Sequence, residues 1–185
     1  MNLNSEIHHR RSIRLSKYDY SQPGAYFVTL VTYGRACLFG EIIDGEMRLN
    51  DAGLIVLDAW NYLPARFPGA VSGAAVVMPN HFHGIVEIQE TDVNPVGAIH
   101  ELPLQNQFSQ QSSRRQMTLP LMIGYLKMNT AKRINVIRNS PGIPIWQRNY
   151  YEHVIRNEED FQAIHLYIAA NPANWPDDDE YPHKK

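Results

Sequence analysis

Residues 26–33 read Tyr-Phe-Val-Thr-Leu-Val-Thr-Tyr, a run rich in aromatic and β-branched side chains that predicts a strand. Residues 38–49 follow as a small hairpin around Asp44-Gly45, a favoured turn pair. Asn50 or Asp51 can cap the next helix, which runs to about Arg66 with Ile55, Leu57, Ala59, Leu63 and Phe67 on its apolar faces. Pro68-Gly69 ends it. Two apolar runs, 71–78 and 82–88, are separated by Pro79-Asn80 and predict strands joined by a turn. From 89 to 113 the chain is rich in Gln, Ser and Asn without periodicity, and is expected to be a loop or a partly disordered insertion. A long helix is expected from 117 to about 138, with Leu121, Tyr125, Met128 and Ile134 among its apolar positions. A short strand should cover 152–156. Asn157 can cap a last helix whose first turn holds Glu158, Glu159 and Asp160, acids that favour the positive end of the helix dipole. In that helix Phe161, Ile164, His165 and Ile168 form a stripe at helical spacing, assigned to the core.

The order strand, helix, strand, strand, helix, strand, helix predicts an α+β fold, a ferredoxin-like antiparallel sheet with helices packed on one face. One domain is expected over 23–176, between a polar, basic arm at 1–22 and an acidic, polar tail at 177–185.

At 185 residues the chain is long enough to bury a core without staples. Its single cysteine, Cys37, excludes a disulfide framework and suits a reducing cytoplasm. No apolar run approaches the roughly 20 residues of a membrane helix, and the N-terminus lacks the apolar stretch of a signal peptide, so a cytoplasmic protein without membrane contact is expected. The formal net charge of -2 conceals an asymmetry. Between Leu102 and Tyr151 there is no Asp or Glu, while Arg114, Arg115, Lys127, Lys132, Arg133, Arg138 and Arg148 all fall there. Arg10, Arg11, Arg14 and Lys17 cluster near the N-terminus, and acids collect in the tail at Asp177, Asp178, Asp179 and Glu180. Such basic blocks fit either a local anionic partner or a solvated helix face.

Three segments carry candidate chemistry. In Met78-Pro79-Asn80-His81-Phe82-His83 the two histidines are two apart, so on a strand they project from one face while Phe82 points with Val86 and Ile88 into the core. Two imidazoles on one face offer a bidentate metal site that needs a third ligand, or are structural histidines. In Tyr167-Ile168-Ala169-Ala170-Asn171-Pro172, Tyr167 and Asn171 lie one above the other on a helix. A phenol one turn from a liganding amide is what a tyrosine nucleophile needs beside a metal. The plainer reading is a packing tyrosine followed by a helix stop before proline. Residues 146–156, Trp-Gln-Arg-Asn-Tyr-Tyr-Glu-His-Val-Ile-Arg, mix aromatics and arginines as single-strand binding surfaces do, or form a strand edge.

In this order the three segments resemble the single-tyrosine HUH transposases of small insertion sequences, and most of all the REP-associated tyrosine transposases. The likeness extends over roughly residues 10–175. It implies His81 and His83 as metal ligands, Tyr167 as the nucleophile and Asn171 as the third ligand, at a position that is glutamine in many insertion-sequence members. It also implies a divalent cation, magnesium or manganese, although imidazole donors by themselves lean toward manganese or zinc. The expected activity is metal-dependent cutting and strand transfer of single-stranded DNA, at hairpins, through a 5′-phosphotyrosine intermediate. Arg10, Arg11, Arg14, Lys127, Lys132, Arg133, Trp146, Arg148, Tyr150 and Arg156 are the candidate DNA contacts. Relatives act as dimers with the site shared between subunits or as monomers with the site in cis, and both arrangements stay open. The alternatives are a domesticated, non-cleaving binder of hairpin DNA or RNA with the same fold, and a phosphodiesterase using an activated water.

Overall fold

The computed structural model describes residues 18–90 and 117–182. Arg10, Arg11, Arg14 and most of the polar 89–113 insertion lie outside the described residues.

The chain runs through β1 (Gly24–Val31), the hairpin β2 (Gly40–Ile43) and β3 (Glu46–Leu49), α1 (Asp51–Asn61), α2 (Leu63–Arg66), β4 (Ala70–Val77) and β5 (His81–Ile88). Then come α3 (Thr118–Ile137), β6 (Tyr151–Ile155) and α4 (Glu158–Ala170). Four strands form one antiparallel sheet in the order β4-β5-β1-β6, the ferredoxin-like arrangement. Local chemistry explains the boundaries. Asp44 and Gly45 both take positive φ, 52° and 76°, as a tight hairpin turn requires. The Asn50 side chain accepts from the Gly53 N–H and starts α1, and Asn157 accepts from the Asp160 N–H and starts α4. The helix expected to run on to Arg66 breaks at Tyr62, beside Pro64, and resumes as α2.

Strand alternation divides the sheet into two unlike faces. Tyr26, Val28 and Leu30 of β1 join Phe82 and Val86 of β5 against Val56 and Trp60 of α1 and Met122 and Leu126 of α3. The opposite residues, Phe27, Ile85 and Ile155, meet Ile168 of α4, with Phe161 and Ile164 alongside. Helices α1 and α3, with the short α2, therefore cover one face and α4 lies on the other. His165, assigned to the core with that stripe, is exposed, because it stands one residue round the helix from Ile164. On α3 the inward face is Leu119, Met122, Ile123, Leu126 and Ile134, which leaves Leu121 and Met128 in solvent. No helix among the described residues is long and apolar enough to cross a membrane.

Gly84 follows His83 in β5 and faces the core. A Cβ there would stand 2.7 Å from Trp60 Cζ2 and 2.8 Å from Phe82 Cζ. Gly84→Ala is expected to destabilise the fold by about 1–3 kcal/mol through overpacking, a drop of roughly 2–10 °C in thermal unfolding. An unchanged melting temperature would mean the two rings move aside freely.

Candidate metal and tyrosine site

The site is built where β5 begins. His81 pairs across the sheet with Val31, and His83 with Thr29. The strand pleat puts both imidazoles on the face that carries α4, with ring centroids 4.5 Å apart. Both are buried. Each has a partner that sets its ring. The Asn80 carboxamide donates its Nδ2 protons to the Arg35 and Glu180 carbonyls, at 3.2 and 2.7 Å. That orients Asn80 Oδ1 toward His81 Nδ1 at 2.9 Å. A carbonyl oxygen only accepts, so His81 carries its proton on Nδ1 and presents the Nε2 lone pair to the site. Thr29 Oγ1 holds His83 Nδ1 at 2.8 Å and leaves Nε2 pointing the same way.

Helix α4 delivers the third element. Its first residue is capped by Asn157, and His153 of β6 grips Asp160 at 2.8 Å, fastening the start of the helix to the sheet. Phe27 packs beneath, stacked on His83 at 5.3 Å and edge-on to Tyr167 at 6.1 Å. Tyr167 Oη thereby lies 3.3 Å from His83 Nε2. One turn on, Asn171 is buried, and its Nδ2 donates to Asp178 Oδ2 at 3.2 Å.

Two buried atoms in this cluster have no hydrogen-bond partner, His81 Nε2 and Asn171 Oδ1. Both are acceptors, and leaving buried acceptors unpaired costs about 1–3 kcal/mol each. A cation would satisfy both. The donor set of two imidazoles and an amide oxygen suits a divalent metal, so the residues present fit the group. Sequence reasoning missed a further acid. Asp178 Oδ2 stands 4.0 Å from His81 Nε2, and one ligand atom from each of His81, His83 and Asp178 falls within 4.8 Å of the others. The segment read as a tail thus folds back on the site: Asp178 reaches His81, and Tyr181 packs 5.1 Å from Trp175, whose ring lies 5.7 Å from that of His81. The run of acids after Pro176 was the available signal, but it looks like any solvated acidic end.

Burial holds the imidazoles neutral. The His81 pKa is lowered to about 4 by desolvation, against an opposing pull from Asp178 and the Asn171 amide, and His83 is lowered by desolvation and by His81. Neutral imidazole is the liganding form. The Tyr167 phenol moves the other way, raised by burial first and then by Asp178. An open groove of about 210 Å³ beside it is lined by Asn171, Asp177, Asp178 and Asp179. Carboxylates around a half-buried phenol oppose phenolate formation, and a cation between them would reverse that effect.

The basic and aromatic candidates disperse. Trp146 is buried against Phe39, with its indole N–H donating to Thr130 Oγ1 at 2.9 Å, so in this position its ring is closed to a base. Lys127 donates to the carbonyls of Gln147, Arg148 and Asn149 and braces that loop. Lys132 is exposed, and Arg133 lies 3.7 Å from Asp58; both sit on α3, across the sheet from the histidines. Tyr150 packs against the α1 and α3 core. Its neighbour Tyr151 pairs with Thr29, in the row that holds His83, and is exposed on the site face. Arg148 and Arg156 are exposed at the two ends of β6.

No protein-family model matches the chain. A Haemophilus influenzae protein of uncharacterized function is 40% identical over 179 residues, covering 96% of each chain. A second H. influenzae protein, assigned as a REP-associated tyrosine transposase, is 30% identical over 155 residues, covering 83% of this chain and 73% of its own. Among solved structures, a REP-associated tyrosine transposase bound to a REP hairpin is similar with a TM-score of 0.51 at 21% identity. That likeness covers 88% of this chain and 73% of the other, and speaks for the fold alone.

Proposed function

The chain belongs to the family of REP-associated tyrosine transposases, and on that footing we propose that it cuts and rejoins single-stranded DNA at hairpins through a covalent bond to Tyr167. One observation supports this above the rest: the Tyr167 phenol oxygen lies 3.3 Å from His83 Nε2, beside the unpartnered His81 Nε2 and Asn171 Oδ1. A structural tyrosine needs none of that convergence.

His81, His83 and Asn171 would hold a divalent cation, magnesium or manganese, with Asp178 within reach as a further oxygen donor. Bound there, a cation would supply Lewis-acid polarisation to the phosphate. The Asn80 carbonyl sets the His81 tautomer that leaves Nε2 free, Thr29 fixes the orientation of the His83 ring, and Phe27 packs edge-on to the phenol. Tyr167 Oη attacks phosphorus, the Oη–P bond forms and the P–O3′ bond breaks. The phenol proton leaves to solvent, and the departing O3′ takes one up. The product is a 5′-phosphotyrosine with a free 3′ hydroxyl, and attack by another 3′ hydroxyl reverses the step. The phosphodiester energy is kept, so no nucleotide cofactor is needed. Arg148, Arg156 and exposed Tyr151 border the strand's path, the arginines on phosphates and the ring under a base. One chain brings the histidines and the tyrosine together, which supports a cutting unit with its site in cis, acting on DNA in the cytoplasm.

The test is an SDS gel of protein incubated with end-labelled single-stranded hairpins from DNA flanking the gene, with manganese or EDTA. A labelled band at protein mass, present with manganese and absent with EDTA, is expected. Cleavage without such a band would identify a hydrolytic phosphodiesterase, and binding without cleavage a non-cutting hairpin binder.

A further inference from the structure

Arg35 is the one described arginine beside the site that faces the acidic turn, and its surroundings are unusual. Its φ is 56°, following Gly34 at 65°. The left-handed region suits glycine or asparagine, and a long side chain held there points to a use for that side chain. Its main-chain carbonyl accepts from Asn80 Nδ2, and Asn80 Oδ1 accepts from His81 Nδ1, so a single side chain links Arg35 to the metal-ligand strand. Its guanidinium is half-exposed. Arg35 Nε lies 3.0 Å from Glu180 Oε2, yet that oxygen lacks a properly aligned hydrogen bond, and Nη1 donates to the Asp179 carbonyl at 3.2 Å. The planar fork of arginine, built for two parallel bonds to an anion, is used here on one poorly aligned carboxylate oxygen and one carbonyl.

The same short turn places its two acids differently. Asp178 reaches Asn171 and His81, while Glu180 reaches Arg35. Two carboxylates two residues apart thus stand at the histidine pair, where a cation would sit, and at the guanidinium. A DNA strand presents neighbouring anions in the same way. We propose that Arg35 is a phosphate-binding, positioning residue: its guanidinium exchanges Glu180 for the backbone phosphate next to the scissile one when a strand enters. This rests on the reading of the chain as a single-stranded DNA nuclease. With the adjacent phosphate clamped, the scissile phosphorus is held in line with Tyr167 Oη, and no bond to Arg35 is made or broken.

The experiment measures binding of single-stranded hairpin oligonucleotides and of an oligo-dT strand by fluorescence anisotropy over a salt series, with adduct formation followed in parallel. Arg35→Ala should weaken binding about tenfold and flatten the slope of log affinity against log salt by about 0.7, the value for one single-strand phosphate contact. The rate at saturating DNA should also fall, by roughly tenfold, because the scissile phosphorus is no longer held in line with Tyr167 Oη. Arg35→Lys should keep most of the slope, because the charge remains. Glu180→Gln should tighten binding in the wild type and have no effect in Arg35→Ala. Arg35→Gly, which suits the left-handed backbone, should bind as poorly as Arg35→Ala while melting within a few degrees of wild type. An unchanged salt slope in Arg35→Ala, or lost binding that Arg35→Lys does not restore, would overturn the assignment. Equal effects of Glu180→Gln in both backgrounds would also overturn it. A wild type that binds neither probe would overturn the nuclease reading itself, which is a separate outcome.

Discussion

Replacing Tyr167 by phenylalanine should abolish the covalent adduct and lower hairpin cleavage by at least about 10⁴-fold, some 5 kcal/mol of transition-state stabilisation. The ring stays, and with it the edge-on contact to Phe27, so the helix keeps its place. Only the oxygen proposed to bond to phosphorus is removed. What else is lost is the 3.3 Å contact to His83 Nε2, made by a half-exposed hydroxyl, so the fold should change by no more than about 1 kcal/mol. DNA affinity should hold within about threefold, since phosphate contacts dominate binding. Anisotropy titration and a timed gel assay on the same preparation separate the two quantities. Cleavage that survives in Tyr167→Phe would make the tyrosine a packing residue and move the chemistry to an activated water.

The second large effect concerns His81. Its side chain is fully buried, its Nδ1 proton is spoken for by Asn80, and its Nε2 has no hydrogen-bond partner. If a cation fills that gap, manganese at a hundred times its dissociation constant stabilises the wild type by about 2.7 kcal/mol, a rise of roughly 5–10 °C in melting. His81→Ala should abolish that rise and lower cleavage by about 100-fold or more, as loss of one of three ligands would. The mutant should also melt lower without metal, because Asn80 Oδ1 loses its donor and the ring leaves a hole. The diagnostic quantity is therefore the manganese-dependent shift rather than the absolute melting temperature. A wild type with no shift at millimolar manganese, or a mutant shift equal to it, would contradict the ligand assignment.

Much of this site was legible before any coordinates. The period-two rule placed His81 and His83 together and turned Phe82 inward, because strand alternation is a backbone property that tertiary packing does not alter. The i, i+4 rule likewise aligned Tyr167 with Asn171. Other features depended on distant contacts. That α4 would settle on the histidine face, opposite α1 and α3, follows from Phe27 and Ile85 offering it a second small apolar patch, and no local pattern announces that. Trp146 and Lys127 looked like nucleic-acid contacts by residue type, yet Thr130, Phe39 and the 147–149 carbonyls already engage them. Tyr150 and Tyr151 differ by one position, and the register of β6 against Thr29 decides which of them faces the site. Asp178 was hidden for a related reason: Pro172 and Pro176 turn the chain back, and only that return brings its carboxylate to His81.

The measurement that tests the central claim most directly is mass spectrometry of the trypsinised adduct formed with manganese and a short hairpin substrate. Tryptic cleavage after Arg156 and Lys184 leaves Tyr167 and Tyr181 on one peptide, while Tyr150 and Tyr151 fall on another, after Arg148. A nucleotide mass on the 157–184 peptide, fragmenting to a phosphodiester at Tyr167, is the expected result. The same mass at Tyr151 or Tyr181, or no modified tyrosine despite efficient cleavage, would contradict it.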